Sequence, residues 1–226
     1  MSRKVTRLTL DHLEALSAPC RSCLFWEFDP VRRERVDDPR AEKDAWVSQV
    51  LREWGSCGRV VIVDDRPVAH AVYAPESFVP GAAGFATAPV SADAVLLTTV
   101  HVDPAYRGGG LGRMLVQAAA ADLVRRGGFG AIEAFGDPAG RGGRCLLPAE
   151  FLANVGFKTH RAHPATPRMR MELRSTVTWR DEVEAALEKL VGVVRPKSQR
   201  GPAPKATRAS EVPRTELARS EMLHPG

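Results

Sequence analysis

No apolar run in this 226-residue sequence approaches the length of a membrane span. The N-terminus, MSRKVTRLTL, starts basic but lacks the apolar segment of a secretory signal, so a cytoplasmic protein is expected. Cysteine is scarce: Cys20, Cys23, Cys57 and Cys145 are too few to staple a chain of this size as a disulfide scaffold. Cys20 and Cys23 form one C-x-x-C with no second matched pair, which falls short of a zinc site. The pair reads as two partly buried thiols one helical turn apart, and no metal is expected. Most of the chain also lacks a charge excess of one sign. The net charge is +5, but seven Lys/Arg and three Asp/Glu lie from Val194 onward, leaving 25 basic and 24 acidic residues on the first 193. A nearly neutral body argues against a nucleic-acid-binding domain, and only the basic tail offers nucleic acid a tether.

What remains is the composition of a globular protein, 44% hydrophobic and 26% charged. Val5 to Leu10 reads as a strand, and Asp11 with Glu14 as a capping box opening a short helix. The segment Arg21 to Arg40 reads as irregular. Asp38 as cap, Pro39 in the first turn and Gly55 as stop frame the next helix. Its apolar face is Trp46, Val47, Val50, Leu51 and Trp54, and the two tryptophans suit either the core or the wall of a substrate cleft. A hairpin follows, Val60–Val63 and Val68–Tyr73 around a turn at Asp64–Pro67. A loop leads to a strand at Ala94–Val102, a helix at Leu111–Arg126, a strand at Phe129–Phe135 and a second glycine-rich loop at Gly136–Pro148. A short helix, Ala149–Asn154, and strands near Phe157–Arg161 and Arg168–Leu173 complete a mixed α/β layout. Trp179, Val183, Leu187, Leu190 and Val194 make one more amphipathic stripe, whose apolar face needs the body or a second subunit to cover it. After Pro196 the apolar periodicity ends, and the composition is that of a disordered tail.

The most informative stretch is VHVDPAYRGGGLGRML, Val100 to Leu115. Three glycines bring a strand directly into a helix, although glycine costs helix stability. The first N–H groups of a helix have no internal partner and, with the helix dipole, form an anion site. Gly108, Gly109, Gly110 and Gly112 would leave that backbone bare at the helix led by Leu111, and Arg107 can add a charge-assisted contact. The run is neither a Walker A loop nor a G-x-G-x-x-G fingerprint, since no Gly-Lys-Ser/Thr follows and Arg113 stands three residues after Gly110.

These residues resemble the acyl-CoA-binding motif of the GNAT superfamily of N-acetyltransferases, Gln/Arg-x-x-Gly-x-Gly/Ala, with Arg107, Gly110 and Gly112 in register. FLANVGFK resembles the family's helix–Gly-Phe segment at Gly156 and Phe157, and the likeness runs from about Gly58 to Leu173. It implies a GNAT-like, mostly antiparallel central sheet flanked by helices, and acetyl-CoA as acyl donor. The pyrophosphate would sit on Arg107 to Gly112, and the pantetheine arm on backbone at Val100, His101 and Val102. The thioester would enter a splay between the strands ending at Val102 and Phe135, with an oxyanion donor near Val102. The acceptor amine would attack directly, which needs a base. Glu133, mid-strand in AIEAF, matches a position where some family members place a catalytic glutamate; a solvent-facing strand position is the alternative reading. His101 is the second candidate. The family's tyrosine acid has no counterpart, because Leu152 occupies its place.

The expected organisation is an acyltransferase domain over residues 1–174, a helical appendage over 175–195 and a basic tail over 196–226. Two functions fit: acyl transfer to a primary amine, or an acyl-CoA-binding regulatory or interaction protein with a degenerate site, which Leu152 favours.

Overall fold

A computed structural model of the chain describes residues 2–15, 20–140 and 145–173. The expected appendage and tail lie outside the described residues. Eight strands form one sheet in the order β1-β2-β3-β4-β5-β8-β7, with β6 paired to β5 alone. The strands are β1 (Arg3–Arg7), β2 (Gly58–Val63), β3 (Arg66–Ala74), β4 (Ala94–Val102), β5 (Ala131–Asp137), β6 (Leu147–Pro148), β7 (Lys158–Arg161) and β8 (Arg168–Glu172). All pairs are antiparallel except β4–β5 and β5–β6.

The expected hairpin forms around a two-residue turn. Asp64 and Asp65 carry φ of 46° and 63°. Positive φ at both central residues matches the twist of the flanking strands, and aspartate tolerates it better than most side chains.

The described residues include five α-helices: α1 (Leu10–Leu13), α2 (Pro30–Arg33), α3 (Pro39–Glu53), α4 (Leu111–Arg126) and α5 (Ala149–Asn154). Asp38 caps α3 by accepting from the Arg40 and Ala41 N–H groups at 3.0 and 3.1 Å, and Gly55 ends it at φ +84°. The α1 box differs from expectation. It is built by Thr9 and His12, whose Nδ1 accepts from the Thr9 N–H at 3.1 Å, while Asp11 lies inside the helix. Helix α2 also departs from the irregular reading. Asp29 accepts from Val31 and Arg32 N–H groups, and Pro30 needs no partner at the first position.

α4 and α5 pack on one face of the sheet, where Leu111, Leu115, Ala119 and Leu152 meet Val95, Leu97, Ile132 and Ala134. Trp46, Val47 and Val50 of α3 meet Val60, Val72, Leu96 and Phe135 on the other face. A polar knot crosses the α4 layer. Buried Asp122 pairs with Arg59 of β2 and accepts from the Tyr73 hydroxyl at 2.8 Å. Trp54 packs against both clusters, edge-on against Tyr73 and Phe129 and under Arg126.

Candidate active site

Two irregularities in the sheet make room for a site. β4 and β5 pair only from Ala94–Leu96 to Ala131–Glu133, so the strands part before Val102 and Asp137. Short β6 pairs instead with Gly136 and Asp137 beyond the parting point. The second irregularity is a bulge. Val72 faces Thr99 while Tyr73 faces Leu97, so Thr98 is the extra residue of β4. Side chains alternate along a strand, and one extra residue inverts the alternation beyond it. Val95 and Leu97 face α4 before the bulge, and Val100 and Val102 pack against that layer after it. Thr99 and His101 are thereby turned to the α3 side.

There they line a cavity of about 300 Å³. Its walls include Trp26, Glu27, Lys43, Trp46, His70 and Arg107, together with three thiols and the start of β6. Glu27 and Lys43 are buried and ion-paired, and Lys43 Nζ also donates to the Cys23 carbonyl at 2.9 Å. Glu27 Oε2 is buried with no hydrogen-bond partner. The His70 and His101 rings lie 5.4 Å apart at a paired position of β3 and β4. Burial, with help from His101 and Lys43, pushes His70 down to about 3. Burial and the Arg107 charge hold His101 below the usual imidazole range, against the pull of Asp103. Both imidazoles are therefore neutral at neutral pH, and a neutral imidazole can accept a proton.

The glycine run lies at the end of this cavity that Arg107 lines. Gly110 caps α4 at φ +77° and Gly108 has φ +80°, and a Cβ at either would meet nothing within 4 Å. The first intrahelical bond runs from the Met114 N–H to the Gly110 carbonyl at 3.1 Å, so the N–H groups just before it are open to an anion. Leu111 contributes backbone only, because its side chain is in the core. Gly112 has a packing reason as well: a Cβ there would stand 3.0 Å from Phe151 Cε2, so α5 could not approach. Arg107 Nε donates to the Val102 carbonyl at 3.1 Å, tying the loop to the end of β4.

Glu133 is placed elsewhere. It is 0% exposed and does not line the cavity. Its oxygens accept from the Ser91 N–H at 3.1 Å and from Arg170 at 3.2 Å, with Arg168 Nε also 3.2 Å away. A carboxylate so occupied joins β5 to β8 and to the loop before β4, and its burial rules out the solvent-facing alternative. Leu152 is fully buried in the α4 layer. The sequence reading missed His70, Glu27 and Lys43. Glu27 had one visible signal, its place between aromatic residues in FWEF. Among the described residues, no group of three or more His, Cys, Asp or Glu is placed to hold a metal ion.

A sheet split over a cavity, with a glycine-led helix start at its end, defines an open α/β domain built to receive an extended, anion-bearing ligand. The model of the Acetyltransferase (GNAT) family matches residues 21–141, more than half of the chain. The chain belongs to this family. The match begins ahead of β2, so it takes in Cys23, Glu27 and Lys43, which the resemblance read from the motifs did not cover. Among solved structures, the PaiA N-acetyltransferase of Thermoplasma acidophilum in complex with coenzyme A is 14% identical, with a TM-score of 0.51 over 76% of this chain and 99% of that one. The GNAT family N-acetyltransferase YhbS of Escherichia coli, also in complex with CoA, is 17% identical, with a TM-score of 0.45 over 77% of this chain and 83% of that one. No curated protein matches the chain.

Proposed function

We propose that this protein transfers an acetyl or related acyl group from acetyl-CoA to a primary amine by direct attack. The observation that carries the reading is one cavity that joins His101 and Arg107 at the parted strands β4 and β5. CoA in the Thermoplasma acidophilum protein of the same fold supports acyl-CoA as the donor. The diphosphate takes the open N–H groups after Gly108, Gly109 and Gly110, and the pantetheine arm follows Val100 to Val102. The thioester then lies at the parting of the strands, beside the cavity.

The acceptor occupies the space between Trp26, Trp46 and the two histidines. His101 takes the ammonium proton, because it is neutral and lines the cavity, whereas Glu133 is sealed against two arginines. The amine nitrogen attacks the thioester carbon, the oxyanion forms near the Val102 backbone, and the C–S bond breaks. With Leu152 in the core, the CoA thiolate takes its proton from His101 or water. In the same proposal the protein is cytoplasmic, residues 1–174 form the catalytic domain, and residues 175–195 and 196–226 are an appendage and a tail that CoA binding does not need. Among the described residues, no helix is long and apolar enough to cross a membrane.

The test is release of free CoA from acetyl-CoA with a panel of primary amines, alongside calorimetry with CoA. Release that depends on an amine supports transfer. Binding without release supports the second reading, an acyl-CoA-binding regulatory protein, which buried Leu152 favours.

A further inference from the structure

The cavity holds three thiols that acyl transfer does not use. Cys20 and Cys23 lie between α1 and α2, and Cys145 lies just before β6. All four cysteines are free; these three are partly buried, whereas Cys57 is sealed in the core. Cys23 Sγ and Cys145 Sγ stand 3.2 Å apart although 122 residues separate them in sequence.

The backbone around each thiol is held. Lys43 Nζ donates to the Cys23 carbonyl at 2.9 Å, and Trp26 Nε1 donates to the Cys145 carbonyl at 3.3 Å. Cys145 has φ +56°, a left-handed conformation that side-chain-bearing residues rarely adopt unless their surroundings impose it. The two sulfurs lie within hydrogen-bond distance of each other. Donation from the Cys145 thiol holds Cys23 down to about 6 against the effect of burial, and holds Cys145 above the ordinary thiol range. Cys20 is raised, by burial first and then by Cys23. The thiolate is the reactive form of cysteine, and with the two sulfurs in contact the lowered Cys23 is the one assigned to attack first.

We infer that Cys23 and Cys145 form a thiol–disulfide exchange site in the cavity wall, open to small disulfides of the glutathione class. The Cys23 thiolate attacks one sulfur of the small disulfide. The S–S bond breaks, one small thiolate leaves, and a mixed disulfide remains on Cys23. Cys145 loses its proton to solvent and attacks the Cys23 sulfur, expelling the second small thiolate. Two protein thiols are oxidised to one disulfide and one small disulfide is reduced to two thiols, their protons coming from the two cysteines by way of solvent. The bridge ties together two walls of the cavity. On the transferase reading of that cavity, which this consequence rests on, oxidation switches acyl transfer off and reduction restores it.

The experiment treats the full chain with oxidised glutathione near neutral pH, then maps the digested protein without reduction. A peptide joining Cys23 to Cys145, with Cys57 unmodified, is the expected result. Cys145→Ser should stop at one glutathione on Cys23, removable by dithiothreitol. In the wild type, acyl transfer should fall about tenfold or more on oxidation and recover on reduction, because closing the 3.2 Å gap to a bond moves the cavity wall by about 1 Å and misplaces the acceptor. A Cys20–Cys23 bridge with Cys145 free would overturn the assignment. So would an unmodified Cys23 in Cys145→Ser when the denatured variant still titrates its remaining thiols. A complete Cys23–Cys145 bridge with undiminished transfer would overturn the switch. If the reduced protein transfers nothing, the proposed function fails alone, and the peptide map still decides the exchange site.

Discussion

Gly109→Glu isolates the anion cradle from the fold that carries it. Gly108 and Gly110 both have left-handed φ, so any side chain there strains the loop by about 1–2 kcal/mol before a ligand is considered. Gly112 would drive a Cβ to 3.0 Å from Phe151. Gly109 has neither fault. Its φ is not left-handed, and a Cβ would stand 3.7 Å from the Tyr106 carbonyl oxygen, an ordinary contact. A glutamate there leaves the backbone as it is but sets a carboxylate beside the open N–H groups of α4. At about 5 Å from one phosphate charge, with an effective dielectric of about 20 to 80, the repulsion is roughly 1–3 kcal/mol. That corresponds to about a 5- to 150-fold loss of CoA affinity. The loss should shrink as salt is added, because the loop is exposed. Calorimetry with CoA at two ionic strengths measures both effects, and a thermal melt checks the fold. A melting temperature within a degree or two of wild type with unchanged CoA affinity would refute the cradle. Gly109→Ala should bind CoA to within a few-fold of wild type, because it adds bulk without charge.

His101→Gln should lower acyl transfer about a hundredfold, the usual effect of losing a general base, with CoA affinity unchanged. Because His101 titrates below its ordinary range, it is already neutral above about pH 6.5 and should add no further pH dependence to the wild-type rate there, and equal turnover in the variant would remove His101 from the reaction. Glu133→Gln should cost about 3 kcal/mol in urea unfolding by leaving buried Arg168 without its carboxylate, while the folded variant keeps its turnover; a turnover loss without destabilisation would restore Glu133 as base. His70 is buried neutral near a pKa of 3, so between that value and about 6.5 the unfolded chain binds the extra proton. The His70 contribution is therefore complete above about pH 6.5 and drains as pH falls, at up to about 1.4 kcal/mol per unit, and His70→Gln should flatten that slope in unfolding titrations. Cutting the chain after Arg195 should leave CoA affinity unchanged.

Local physics made much of this protein legible in advance. The strand at Ala94–Val102 and the helices at Leu111–Arg126 and Ala149–Asn154 appear with the bounds read from the sequence, because caps, stops and apolar spacing are set by neighbours a few residues apart. The glycine run was legible for the same reason, since strand, loop and helix start are contiguous. The cavity was not. His70 meets His101, Cys23 meets Cys145 and Lys43 meets Glu27 only because separate segments converge on one face of the sheet. Glu133 shows the limit most directly. Its alternation along β5 was readable, but what faced it was not. Arg168 and Arg170 arrive from β8, and the Ser91 N–H from the loop before β4. One extra residue at Thr98 settles which face His101 takes, and that bulge exists only in the pairing of β4 with β3. Sequence spacing determined the elements and the glycine-led turn into α4. Tertiary packing alone decided which side chains share the cavity, because a side chain's chemistry depends on partners that the chain brings from far away.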